Sequence, residues 1–388
     1  MLNFSYCNPT RLVFGRSAEC QTGPVMKSIL GGAGKVLVVY GGGSAQRSGL
    51  LDAVKASLEQ AGFTVLEKGG VQPNPRMSFV RETVDWIRDQ SVKAIVAVGG
   101  GSVIDSAKAV ALGVEYEGDC WDFFEGKAKP ERALPIFAVL SIPAAGSEQS
   151  IRAGEKIGIG AEILRPKAAF INPERFFTLP LNQVSAGVLD MFSHICERYF
   201  SNTAATAYVD AQAEAALRTI LEYGPKVRLR VDDYDAWCQI ALAGTFAHNG
   251  YFGLGREEDW ACHAIEHEIS GWNDAIVHGD GLAVVMPAWM KYVAPFAPAR
   301  FFQFAVNVMG VAPASREAET IELGRCKFIE WLERMNLPTT LDDLGIAGCP
   351  AASLARHCCR LGPVGHLKPL EAEDVEAILH WAKGADSQ

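Results

Sequence analysis

Two pairs of side chains, each spaced by four residues, carry the reactive chemistry of this sequence. Asp190 and His194 stand in the run SAGVLDMFSHICERYF, and His263 and His267 in ACHAIEHEIS. At that spacing on a helix, both members of a pair leave the same face. A further imidazole, His278, follows in IVHGDGLA, so three of the eight histidines lie between Cys262 and His278. One carboxylate and several imidazoles converging from separate helices make a ligand set for a divalent transition metal. A lone histidine at helical spacing is ordinarily a core or surface residue, and an Asp–His pair often only caps or bridges. Two pairs, plus a third histidine before a glycine, favour the metal reading.

The amino-terminal half offers different chemistry. Lys35–Tyr40 (KVLVVY) and Ala94–Val98 (AIVAV) are short β-branched runs, the mark of strands buried on both faces. Each is followed at once by Gly-Gly-Gly-Ser, at 41–44 and 99–102. Glycines let the backbone approach a ligand closely, and the free N–H groups of a following helix favour an anion, for which a pyrophosphate is the natural guest. Two such turns outweigh the plainer reading of glycine as a strand terminator. Neither turn matches G-x-G-x-x-G with a downstream acid, so they are not a standard Rossmann fingerprint. Asp105 and Lys108 follow on the helix, and read equally as a brace for the phosphate loop or as an ordinary charged pair. Ser141–Glu148 is a third loop at a strand end, where the ligand crevice of an open α/β sheet lies.

These groups must be positioned by two kinds of scaffold. Strand signals at Lys35–Tyr40, Phe63–Leu66, Ala94–Val98 and Leu134–Ile142 alternate with helical signals at Leu50–Ala61, Phe79–Asp89 and Val103–Leu112, which predicts a parallel, doubly wound sheet. From Leu181 onward the period is helical: Val184–Phe200, Ala204–Tyr223, Tyr234–Phe246, Trp260–Ser270, Leu282–Val293, Ala299–Met309, Arg316–Met335 and shorter segments to Lys383. Thr-Leu-Pro at 178–180 ends the strand pattern. The expected division is an α/β dinucleotide-binding domain over residues 1–178 and an all-helical metal and substrate domain over 179–388.

Composition narrows the classes. A chain of 388 residues exceeds one ordinary core, so two domains are expected. Hydrophobic content of 49% with 21% charged residues fits a soluble globular protein. A net charge of −9 argues against a nucleic-acid backbone or an anionic membrane as partner. No apolar run reaches the ~20 residues of a membrane span. The ten cysteines show no C-x-x-C spacing and no secretory segment follows Met1, which predicts reduced thiols in a cytoplasmic protein.

Taken in order, the motifs resemble the iron-containing alcohol dehydrogenase family, most closely its butanol dehydrogenase and YqhD-type aldehyde reductase branch. They are NPTRLVFG near the start, YGGGS at 40–44, VQPNPR at 71–76, GGGSVIDSAKA at 99–109, IPAAGSE at 142–148, TLPLNQVSAGVLDMFSHICERYF at 178–200, and the HAIEHEIS…VHGDGLA…PAWMKY series at 263–292. The resemblance implies a dehydroquinate synthase-like fold: an α/β dinucleotide-binding domain with a parallel sheet, an all-α metal domain, and a cleft between them. It implies Asp190, His194, His263 and His278 as metal ligands, and His267 as a cleft histidine for proton relay. It maps the cofactor onto Gly42, Gly43, Ser44, Asn74, Gly100, Gly101, Ser102, Ser141 and Lys156, and it implies a homodimer. The chain departs from the pattern at three places. Ala145 stands where many members have Thr, the stretch Glu148–Lys167 is short, and the His267–His278 interval is one residue long.

The expected reaction is hydride transfer between NAD(P)(H) and a small alcohol or aldehyde, with Fe²⁺ or Zn²⁺ as Lewis acid. An acid after the first strand would bind a ribose 2′-hydroxyl and repel a 2′-phosphate. Gly41–Ser44 has none, which favours NADP(H) over NAD(H). Phe246, Phe252 and Trp272 flank the metal segment, and read as core aromatics ahead of pocket walls. Rival readings are a glycerol-dehydrogenase-like polyol oxidase, a lyase of the dehydroquinate synthase type, and a non-catalytic nucleotide-binding relative.

Overall fold

Six short strands build one parallel sheet: β1 (Arg11–Phe14), β2 (Lys35–Tyr40), β3 (Thr64–Lys68), β4 (Ala94–Gly99), β5 (Ile136–Leu140) and β8 (Ala168–Ile171). Their order across the sheet is β1-β8-β5-β4-β2-β3. The computed structural model describes residues 1–73, 76–150, 152–153 and 159–384. A separate two-stranded ladder pairs β6 (Arg152–Ala153) with β7 (Ile159–Gly160).

β4, β5 and β8 are buried along their whole length, which is why their sequences run apolar rather than alternate. Val38 lies opposite Val96, and Val96 opposite Phe137. Helices cover the sheet: α1 (Thr22–Leu30), α2 (Ser44–Arg47), α3 (Leu50–Gln60), α4 (Met77–Ile87), α5 (Gly101–Val114) and α6 (Trp121–Phe124). On one face Met26, Leu50, Val54 and Leu58 pack against Val38 and Val96, each such side chain contributing about 1.5–3 kcal/mol by leaving water. From β2 the chain goes outward to β3, then crosses back to β4 and on to β5. The sheet order therefore reverses between β2 and β4, and ligands of open α/β sheets bind at such reversals.

β1 and β8 escape the sequence reading. Each is four residues long; one opens on an exposed arginine and the other is half alanine, so neither shows the β-branched run that marks β2 and β4.

The described residues divide into two compact units, and both are discontinuous in sequence. The strand unit is Cys7–Leu179 with Val231–Asn249; the other is Met1–Tyr6, Pro180–Arg230 and Gly250–Gln388. The second segment of the strand unit carries α9 (Tyr234–Ala247). There the Trp237 ring lies 5.3 Å from Phe176, and Gln149 Nε2 donates to Thr245 Oγ1 at 3.0 Å. Periodicity marks α9 as a helix but does not say what it packs on.

The other unit is helical: α7 (Leu181–Tyr199), α8 (Ala207–Leu229), α10 (Ala261–Trp272), α11 (His278–Val293), α12 (Pro298–Asn307), α13 (Glu317–Arg334), α14 (Ala351–Cys358) and α15 (Ala372–Trp381). α8 continues through Pro225 to Leu229, past the end expected at Tyr223. α11 begins at His278 rather than at Leu282, because Gly279 and Gly281 have no side chain to display the period. α7 is buried from Val184 to Tyr199, with Phe192 stacked on Phe328 and Trp331. Its polar residues are therefore inside the unit, where each needs a partner.

Lys108 is a fully buried cation of the strand unit. Its Nζ donates to the Ser147 and Ser150 carbonyls at 2.8 and 3.0 Å, and lies 3.7 Å from Asp105. It thus ties α5 to the loop after β5. Burial pulls its ammonium down to about 8, against the opposing pull of Asp105 and Glu148. Lys108→Met strands two carbonyls and a carboxylate, and should destabilise the protein by ~3 kcal/mol, read as a lower urea midpoint. Between pH about 8 and the unperturbed 10.5 the unfolded chain binds more protons at this lysine than the folded one. Its contribution to stability therefore rises with pH across that window. The methionine variant lacks the rise, so its deficit should widen from pH 8 to 10.5.

Candidate metal centre and nucleotide loops

α7, α10 and α11 bring four of the five candidate side chains to one point. Asp190 Oδ1 lies 2.9 Å from His194 Nδ1, 3.9 Å from His263 Nε2 and 3.7 Å from His278 Nε2. Ligand atoms of Asp190, His194 and His263 all fall within 4.8 Å of one another. His267, four residues on from His263, stands one layer away, its ring 5.3 Å from His278 and 6.1 Å from His263. Between His267 and His278, after α10 ends, Ile276 N donates to the Asn273 carbonyl at 3.1 Å.

The protons of this cluster decide its chemistry. His194 Nδ1 is 2.9 Å from its own-helix Asp190 carbonyl, which can only accept, so Nδ1 carries the hydrogen. His263 Nδ1 is 3.0 Å from Glu197 Oε1, which also accepts from the His263 main-chain N–H at 2.9 Å. The Nε2 atom of His263 is then a lone pair facing the Asp190 carboxylate. Both Asp190 Oδ1 and His263 Nε2 are buried without a hydrogen-bond partner. Acceptors turned toward one another in a dry site are tolerated when a cation lies between them. The donor set, one carboxylate and three imidazoles, fits Fe²⁺ or Zn²⁺.

The electrostatics agree. Burial alone would raise the Asp190 carboxyl, but the facing imidazoles outweigh it and hold the group well below the usual range. Burial pushes the His194 imidazole down to about 4, with Asp190 pulling the other way. Neutral imidazole and ionised carboxylate are the forms a metal takes. Trp260, at the N-terminus of α10, walls the site with its ring 5.7 Å from His194 and 5.2 Å from His263. Its φ of 67° is left-handed, a strained conformation for a bulky residue.

Two members of this cluster were not singled out from sequence: Glu197, against His263, and Glu266, whose Oε2 contacts His278 Nδ1. The signal was available. Each glutamate stands three residues after a candidate histidine, His194 or His263, on the same helix face. Of the aromatic residues considered, Phe252 is buried and Trp272 is exposed, which corrects the core reading for Trp272: it ends α10 at the surface.

In the strand unit, most candidate cofactor residues gather at the carboxyl ends of three adjacent strands, β2, β4 and β5. Gly43, with φ of 107°, caps α2, and Ser44 opens it; Gly42 precedes them. Gly100 caps α5, and Gly101 and Ser102 form its first turn. Ser141 follows β5 and its N–H donates to the Gly99 carbonyl at 3.1 Å. Side chains are excluded here: a Cβ on Gly99 would meet Val103 Cγ2, and one on Gly100 would meet Ile142 Cγ2, each at 2.5 Å. Asn74 and Lys156 lie outside the described residues.

The strand unit thus pairs a reversal of sheet order with glycine turns, and the helical unit holds a carboxylate–imidazole cluster. Residues 9–173 match the family model described as iron-containing alcohol dehydrogenase, and residues 184–383 its C-terminal counterpart. The chain is 40% identical over 388 residues to a probable NADH-dependent butanol dehydrogenase 1 of Bacillus subtilis, covering 98% of this chain and 99% of that protein. It is 33% identical to the NADPH-dependent aldehyde reductase YqhD of Escherichia coli, covering 92% of each. The crystal structure of an NADH-dependent butanol dehydrogenase A from Thermotoga maritima superposes with a TM-score of 0.94 at 40% identity, covering 99% of both chains. The chain belongs to the iron-containing alcohol dehydrogenase family. It is an NAD(P)-dependent alcohol dehydrogenase or aldehyde reductase.

One contact tests how the cluster is assembled. A Cβ on Gly279 would come within 2.4 Å of the Ala186 carbonyl oxygen, so α11 closes on α7 only because residue 279 is glycine. Gly279→Ala should cost about 1–3 kcal/mol and shrink the rise in Tm that Zn²⁺ gives the wild type. An unchanged rise would show that the spacing of α7 and α11 does not set the site.

Proposed function

We propose that this enzyme reduces small aldehydes, and oxidises the matching primary alcohols, using a cation held by Asp190, His194, His263 and His278 and a nicotinamide dinucleotide seated on the loops after β2, β4 and β5. The observation that carries the proposal is the meeting of His263 Nε2 and His278 Nε2 on Asp190 Oδ1 inside 4 Å, with ligand atoms of Asp190, His194 and His263 within 4.8 Å of one another. The bound cation, Fe²⁺ or Zn²⁺, supplies Lewis-acid polarisation of the substrate oxygen, and the nicotinamide supplies or accepts the hydride. The chain's own residues do the rest. Glu197 fixes the His263 tautomer, the buried Asp190 supplies the anionic ligand, and Gly100–Ser102 present N–H groups to a pyrophosphate. His267 is the proton relay, an imidazole beside the ligand set rather than in it. Removal of the metal by a chelator should abolish turnover, and Fe²⁺ or Zn²⁺ should restore it in an assay of NADPH absorbance over an aldehyde panel. Turnover indifferent to chelation would end the proposal.

His267→Ala should keep the cation stoichiometry while kcat falls about 10²-fold or more, the usual scale for a general acid–base. Parallel loss of metal and turnover would instead make it a ligand.

The reading favours NADP(H). The turn after β2 holds no carboxylate, and the Arg47 guanidinium stands near it, 3.1 Å from where a Gly43 Cβ would be. A cation there suits a 2′-phosphate. Among relatives both names occur, NADH-dependent for the butanol dehydrogenases and NADPH-dependent for YqhD. A higher kcat/KM with NADPH is expected; a higher value with NADH would reverse the assignment. The same reading makes the protein a cytoplasmic homodimer, which its free cysteine thiols suit. No described helix is long and apolar enough to cross a membrane.

A further inference from the structure

His278 is held differently from the other three groups of the cluster. Asp190 and His194 sit within α7 and His263 within α10, with side chains 11, 7 and 6% exposed. His278 is the first residue of α11, and its side chain is 31% exposed. A first-turn residue after a loop has less around it to lock its rotamer.

What grips the ring is Glu266. Its Oε2 contacts His278 Nδ1, on the side opposite the nitrogen that faces Asp190. Glu266 is completely buried, and its other oxygen has no hydrogen-bond partner. Burying a carboxylate is costly, and this one depends on a gap in α11. A Cβ on Gly281 would lie 2.7 Å from Glu266 Cγ and 2.8 Å from Oε1. The sequence thus keeps a buried carboxylate against the outer nitrogen of His278, and keeps a glycine to make room for it.

We propose that Glu266 is a positioning residue for the metal. It accepts the His278 Nδ1 proton, which leaves the Nε2 lone pair toward Asp190, and it sets the place of the ring. The inference rests on the metal reading given above. α10 then supplies a ligand, His263, and three residues later the brace for the next ligand. A competing arrangement uses the same atoms: ligand atoms of Glu266, His267 and His278 also lie within 4.8 Å of one another. A second cation there would have to displace the proton that Nδ1 shares with Glu266.

The test is Zn²⁺ affinity by chelator competition on the full-length protein, with Co²⁺ as a spectroscopic probe and NADPH binding by fluorescence as control. Wild type should take one cation per chain. Glu266→Ala should weaken Zn²⁺ about 10–100-fold and shift the visible Co²⁺ bands. Glu266→Gln, whose amide oxygen still accepts from Nδ1, should recover most of the affinity and a near-native spectrum. Gly281→Ala, which displaces the carboxylate without removing it, should reproduce the alanine effect, and serves if Glu266→Ala does not fold. NADPH affinity should be the same in all. Wild-type Zn²⁺ affinity and Co²⁺ bands in both Glu266→Ala and Gly281→Ala would overturn the proposal. So would two cations in wild type falling to one in the variant, which makes Glu266 a ligand. A wild type that binds no cation removes the metal reading itself, and is told apart from failure of the brace by that single titration.

Discussion

A carboxylate oxygen surrounded by imidazole nitrogens whose protons are already engaged elsewhere is the constraint around which the helical unit is built. The Nδ1 atom of His194 meets a main-chain carbonyl, that of His263 meets Glu197, and that of His278 meets Glu266. A main-chain carbonyl and two ionised carboxylates can only accept, so Nδ1 carries the hydrogen on each ring, and the Nε2 lone pairs of His263 and His278 are left facing Asp190. Such an arrangement repels itself until a positive charge enters.

Reciprocal bracing between the helices holds this arrangement. α7 provides Glu197 for a histidine of α10; α10 provides Glu266 for a histidine of α11; and α11 returns to α7 through the contact of Gly279 with Ala186. Each link uses a side chain on one helix to fix a ring on the next. The ring geometry therefore depends on all three helices being in place, and none of them could hold it alone. The aromatic stack of Phe192 with Phe328 and Trp331 lies behind α7, where it anchors the helix that carries two members of the cluster.

The strand unit works by a different economy. What the sequence supplies at its loops is the lack of side chains, with glycines where Val103 and Ile142 leave no room. Order there comes from behind the loops. Lys108 reaches from α5 to the Ser147–Ser150 segment, which Arg165 also holds by donating to the Gln149 carbonyl at 2.6 Å. A buried lysine in this position is a structural tie between α5 and the loop after β5, and it also lies beside Asp105 as the charged pair that the sequence offered.

Much of this was legible in the residues themselves. The apolar runs at β2 and β4 mark buried strands because nothing in a doubly covered sheet needs to be polar, and the four-residue spacing of Asp190 with His194 follows from helical period. The order of the motifs carried the family. Partners in space were not legible. Glu197 and Glu266 look like ordinary helix glutamates until α7, α10 and α11 come together, since a carboxylate's role depends on which donor it meets. The start of α11 at His278 was hidden by two glycines that matter for close approach and contribute nothing to periodicity. β1 and β8 were too short to declare themselves, and α9 packs on the strand unit through Trp237 and Thr245. Local pattern is fixed by side-chain type along the chain, whereas bracing, burial and close approach belong to contacts between distant segments, which only the folded arrangement decides.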